Sequence, residues 1–232
     1  MTERPILFSG AMVRALLSGA KTQTRRILKV PHENPLGKWE VLPWGGPNGG
    51  RTRDGKTMPY QNVIGHTRTG EIIACPYGQP GDQLWVRETW YCDDYRVQRG
   101  PYLRPDDMDV AAARDDGTLI YRASAGDRPY EAEQPVWRPA IHMPRWASRI
   151  TLEIIRVRVE RLQDISSSDA IAEGIEACPH GGEWRNYLSH EPNRDALTPR
   201  VSFRSLWDSI NGPASWDANP WVWAVEFRKV TP

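Results

Sequence analysis

The chain has 232 residues, enough for one large domain or a smaller one with long insertions. Thirty Lys and Arg against 29 Asp and Glu leave a formal net charge of +1, which argues against a protein that grips long duplex nucleic acid by neutralising phosphates. Three cysteines (Cys75, Cys92 and Cys178) without a Cys-x-x-Cys pair fit reduced thiols rather than a disulfide framework. The first residues lack a signal-peptide layout and no apolar run approaches a membrane span, so the expectation is a cytoplasmic protein without a membrane partner.

In chain order, Met12, Val13, Leu16 and Leu17 recur on one helical face, which predicts a helix over 10–18 with Gly19 as the left-handed residue after it. A polar segment, 21–26, comes next. Residues 31–80 are rich in Gly and Pro and show little periodicity; they read as an irregular loop with room for one hairpin. Gly81-Asp82 opens a strand over 83–90, with Leu84, Val86 and Trp90 on one face and Glu88 between the last two. A carboxylate on that face needs a partner or a task, because burying it alone is costly. Residues 91–140 are acidic and broken by prolines, a second insertion, with a hairpin expected at Asp116-Gly117 that returns through 119–122.

The strongest strand covers 150–162. Ile150, Leu152 and Ile154 alternate on one phase, and Ile155, Val157 and Val159 on the other. The slip between Ile154 and Ile155 predicts a bulge or bend, as where a sheet curls. Ser166 is expected to cap a helix at about 167–177, with Asp169 three residues on. Residues 178–200 interrupt again. Phe203, Leu206, Trp207 and Ile210 mark another helix, and Trp221, Trp223, Val225 and Phe227 alternate along a last strand, 221–228. The order predicts an α+β fold, a small curved sheet with flanking helices, and not a regularly alternating doubly wound one.

The segment Gly19-Ala-Lys21-Thr22-Gln23-Thr24-Arg25-Arg26 carries the clearest signal. Gly19, Lys21 and Arg26, behind a helix, resemble the signature of the ASCH family: Gly-x-Lys, two residues, usually Glu, one residue, then Arg. Thr24 stands where Glu is usual. Gly81-Asp82 with its strand, Ala172-Glu173-Gly174 and the 221–227 strand extend the likeness over roughly half the chain. The resemblance implies a PUA-like curved β-barrel, a single domain over residues 1–232 with insertions at about 31–80, 91–140 and 178–200. It also implies nucleobases, nucleosides or single-stranded RNA as partners.

The small bacterial N4-acetylcytidine amidohydrolases of that family also have Thr at this position. Carried over by position, their proposed catalytic set becomes Lys21, Thr24 and Glu173. A Thr hydroxyl needs a base to take its proton, and a Lys whose pKa burial has lowered is such a base. A carboxylate beside Lys21 works the other way, which makes Glu173 the proton shuttle and Lys21 a charged stabiliser in an alternative assignment. Arg25 or Arg26 would hold the base O2 or a developing oxyanion. Glu88 and His142 are further candidate substrate contacts. No cofactor and no metal are expected; Cys178-Pro-His180 lacks a second paired thiol.

Each candidate has a plainer reading. On a wheel running to 177, Glu173 falls off the apolar face and reads as a solvated charge. Glu88 would be the buried partner of an Arg, and His142 a structural hydrogen-bonder. Arg156, Arg158 and Glu160 share a strand face that either tracks phosphates or meets water. Eleven Trp against three Phe supply stacking surface for bases or fill a loop-rich core. Two other functions remain open: a binding module for RNA or a modified base, and a ribonuclease.

Overall fold

The computed structural model describes residues 1–32, 34–46, 51, 55–57, 60–125, 135–178, 183–188 and 196–230. Among them the chain is a mixed α+β protein with several sheets and six α-helices. It forms two compact units, each assembled from separated stretches of sequence.

The first unit takes residues 1–18, 82–153 and the end of the last strand. Strand β1 (Glu3–Leu7) lies parallel to a strand at Gln83–Arg87, and that strand is antiparallel to residues 151–153. Between them in sequence sits α1, Gly10–Leu17, capped by the Ser9 hydroxyl. It buries Val13 and Leu16, and Gly19 follows at φ 78°, the left-handed stop that the sequence implies. Glu88 and Thr89 interrupt the expected 83–90 strand, and a new short strand runs Trp90–Cys92.

That short strand pairs with Leu119–Tyr121, which corrects the hairpin expected at Asp116-Gly117. Residues Val110–Asp115 are helical, so Gly117, at φ 86°, follows a helix and does not join two strands. The return strand finds its partner almost thirty residues back because Trp90, Cys92, Leu119 and Tyr121 share one buried cluster with Met143 and Ala147. Shared burial, not turn chemistry, sets this pairing.

The second unit takes residues 19–81 and 154–228. Its β2 (Gln23–Ile27) is antiparallel to the long last strand, Trp221–Val230, with Thr24 opposite Val225 and Arg25 opposite Ala224. The 31–80 insertion is more ordered than its composition suggests. It holds an antiparallel three-stranded sheet: β3 (Trp39–Trp44), β4 (Gln61–His66) and β5 (Ile72–Ile73). Numbered on from there, β6 is Gln83–Arg87, β7 Trp90–Cys92, β8 Leu119–Tyr121, β9 Thr151–Arg161 and β10 Trp221–Val230. The largest sheet has the order β1–β6–β9–β10–β2, so the strands expected at 83–90, 150–162 and 221–228 do belong to one sheet.

Burial along β9 changes phase where the sequence slips. Ile150, Leu152 and Ile154 are buried, Ile155 and Arg156 are both exposed, and Val157 and Val159 are buried again. Helix Ser167–Ala172 starts at the expected cap, where the Ser166 hydroxyl accepts the Asp169 amide at 3.1 Å. It stops five residues short of 177, because Gly174 turns the chain at φ 82°. Helix Pro199–Asn211 buries Phe203 and Trp207 against Leu162, Ala170, Trp216 and Val222.

Candidate active site

Three side chains of the 21–26 segment point one way. Lys21, Gln23 and Arg25 alternate, and all three meet the helix at Ser167–Ala172 or the residue that closes it. The Lys21 ammonium donates to the Glu173 backbone carbonyl at 2.7 Å and to its carboxylate at 3.0 Å. The two residues also form an antiparallel backbone bridge. Lys21 is 3% and Glu173 4% exposed, so this is a buried pair.

Glu173 is therefore not a solvated charge. The wheel assumed a helix running to 177; with the helix ended at Ala172, Glu173 becomes its closing residue and its side chain is free to turn inward. Its other carboxylate oxygen accepts from Arg25 at 3.1 Å. Arg25 reaches further, to Glu160 through two donors at 2.9 and 2.5 Å and to Asp169 at 3.2 Å. Arg158 closes the network, donating to Glu226, Glu160, Gln23 and Asp169 at 3.0–3.3 Å or, for Glu160, 2.9 Å. Three cations thus meet four carboxylates. Lys21, Arg25 and Glu173, the buried members, persist as charges only when each is bonded, since an unpaired one costs several kcal/mol (about 3–5).

Burial pushes the Lys21 pKa below its ordinary value. The Glu173 carboxylate pulls it back up, both by charge and by hydrogen bond, yet the net direction is down. Asp169 is held below the usual carboxylate range: burial alone would raise it, but Gln23, Arg158, Arg25 and Ser166 together outweigh that.

Thr24 stands apart. It sits between Gln23 and Arg25 on β2, so its side chain leaves the opposite face, toward the side of its cross-strand partner Val225. It is 2% exposed. Arg26 shares the Thr24 face, opposite Trp223. The structure brings Lys21, Arg25 and Glu173 together and does not bring Thr24 to them. Thr22 is exposed and lines a cleft of about 320 Å³ with Gln23, Asp169, Glu226, Phe227 and a second exposed hydroxyl, Ser168.

Comparison with protein-family models, with curated proteins and with solved structures finds no match.

The remaining candidates belong to the first unit. Glu88, 1% exposed, receives two parallel hydrogen bonds from Arg149 at 2.9 Å each, and the same guanidinium lies 4.0 Å over the Tyr121 ring. This is the Arg partnership that its core position allowed. His142 is exposed at the end of a short 3-10 turn, its ring 6.2 Å from that of Tyr102. His180 lies outside the described residues, as does much of the 178–200 interruption. No helix among the described residues is long and apolar enough to cross a membrane.

Sequence reading missed Glu160, Asp169 and Arg158 as site residues. Arg158 and Glu160 showed as one strand face, and Asp169 as a capping position. Nothing in the linear order indicated that β2 would lay Arg25 against Glu160 and Asp169, and Gln23 against Arg158.

Proposed function

We propose that this chain is an ASCH-type, PUA-like protein of the cytoplasm that removes an acyl group from N4-acylated cytosine or cytidine, with Lys21 and Glu173 as its proton-handling pair. One observation carries the reading. The family likeness selected Lys21 and Glu173 by position alone, 152 residues apart, and they meet in a buried, doubly hydrogen-bonded pair. The downward push on Lys21 favours the neutral amine that a general base needs. Glu173 holds that amine in place and relays its proton. The five-strand order, with the phase change in β9, suits a sheet that curls into the barrel of this reading.

The nucleophile in this reading is a threonine hydroxyl or a water that it positions. Thr22, exposed at the cleft, is the more accessible of the two threonines; Thr24 holds the motif position but is buried, and alternation turns both away from the Lys21 side. Incubation of the purified protein with N4-acetylcytidine, followed by assay of released cytidine and acetate, tests the reaction directly. Release that disappears in Lys21→Arg supports Lys21 as a base, since Arg keeps the charge but does not give up its proton at neutral pH.

A second reading has its own observation. Every charge of the network is already bonded within the protein, which is what a rigid, non-catalytic binding module would show. Binding of cytidine or RNA without any release of product would favour it.

A further inference from the structure

A second cleft of the same compact unit, about 630 Å³, opens between the inserted sheet and the far ends of β9 and β10. Its walls include Lys38, Trp39, His66, Arg161 and Trp221. The Arg161 guanidinium lies 4.2 Å over the Trp221 ring, making one flat, cationic wall. On the inserted sheet, Trp39 and His66 are register partners across β3 and β4, with ring centroids 5.0 Å apart. Gly37 closes the turn against the imidazole so tightly that a Cβ there would fall 2.7 Å from His66 Cε1.

His66 carries the decisive feature. It is 2% exposed, and its Nδ1 accepts the Thr69 amide at 3.2 Å. That bond uses the Nδ1 lone pair, so the ring proton sits on Nε2, which is buried with no partner among the described residues. An unmet buried donor costs about 1–3 kcal/mol, a cost that a bound acceptor would remove. Among the described residues no carboxylate lines the cleft. Lys38 pairs with Glu40 at 2.8 Å, but its side chain is 77% exposed, and such a pair exchanges easily.

The geometry points to a binding site for one nucleotide unit in this cleft: the base against the indole walls, a ring acceptor on His66 Nε2, and the phosphate toward Lys38 and Arg161. The cleft volume is in the range that such ligands fill. The choice of a nucleotide among planar anions rests on the nucleobase reading above. The site is separate from the Lys21–Glu173 pair. Ile155 and Glu226 line the smaller cleft, whereas Arg161 and Trp221 line this one, so strand rise puts the two about 17–20 Å apart along β9 and β10. A substrate strand could be held here while another of its bases is processed.

The test is calorimetric titration of the full chain with cytidine 5′-monophosphate and, separately, with a short single-stranded oligocytidylate. Both are repeated on Lys38→Glu and His66→Phe. The exposed Lys38 position makes Lys38→Glu safe for folding, and far-UV circular dichroism checks both variants. The expected result is binding weakened about tenfold by Lys38→Glu, and roughly three- to tenfold by His66→Phe, which keeps the ring and removes the donor. Binding of both ligands assigns a free-nucleotide site; binding of the oligomer alone assigns a site for a nucleotide within a strand. No binding of either, or equal affinity in wild type and both variants, overturns the inference. Turnover of N4-acetylcytidine by the wild type is read independently. If it persists while the cleft binds nothing, only the cleft inference falls. If nucleotide binds through the cleft and acetylcytidine is untouched, only the amidohydrolase reading falls.

Discussion

The Lys21 ammonium bonds both the backbone carbonyl and the carboxylate of Glu173, at 2.7 and 3.0 Å, in a place that water barely reaches. The backbone bond ties Lys21 to the end of a helix; the side-chain bond ties it to a group that also serves Arg25. Glu173 is thus shared by two buried cations, while each cation leans on it to a different degree.

This asymmetry predicts unequal losses of stability. Glu173→Gln leaves both Lys21 and Arg25 short of charge compensation, and should cost about 3–5 kcal/mol. Lys21→Met leaves Glu173 still bonded to Arg25 and replaces a buried cation with an apolar chain of similar length, so it should cost clearly less. Urea denaturation midpoints of the two variants measure the difference. Equal losses would mean that Arg25 does not depend on Glu173.

The lowered Lys21 pKa makes stability depend on pH with a definite sign. Between the folded pKa and the unfolded value near 10.5, the unfolded chain binds the extra proton, so stability rises with pH in that window. Below the folded pKa the contribution is flat, and it carries the full cost of burying the charged amine. Lys21→Met should remove this rise. Urea titrations of wild type and variant at several pH values up to 10.5 read it as a difference in slope.

The two threonines divide the catalytic question. Thr22→Ala should reduce release of cytidine from N4-acetylcytidine by at least about a hundredfold, the scale on which a reacting or proton-exchanging group acts. Thr24→Ala, on the other face of β2, should keep turnover within about tenfold and act through packing against the Val225 side. The reverse pattern would restore Thr24 as nucleophile and would require the chain at 21–24 to rearrange on binding substrate.

In the first unit, Glu88 and Arg149 form the bidentate pair that closes the gap between β6 and β7. Glu88→Ala should destabilise by about 3–5 kcal/mol, since it strands Arg149 beside Tyr121. Arg149→Lys should also destabilise, though less, because an ammonium has no planar fork to match the carboxylate. Thermal melts check both. A catalytic role for Glu88 would instead show as lost turnover with an unchanged melt.

By itself the sequence determined what depends on neighbours in the chain. The 3.6-residue spacing of Val13 and Leu16 and the left-handed Gly19 define α1 at both ends. The slip at Ile154-Ile155 forecasts the phase change of burial along β9, because alternation is a property of the strand alone. Ser166 marks a helix start for the same local reason. Only the tertiary structure decided which partners those elements meet. Leu119–Tyr121 pairs with Trp90–Cys92 and not with its own neighbours, because the apolar cluster that both strands bury gains more than a local turn does. Gly174 ends the helix early, and that single left-handed residue turns Glu173 from the outer face toward Lys21. The alternation that sends Lys21, Gln23 and Arg25 to the carboxylates sends Thr24 to the other face, and segment 21–26 shows no apolar periodicity that would have revealed a strand there. Charges carry no such period: what they bond to is set by which surfaces folding presses together, 152 residues apart in the case of Lys21 and Glu173.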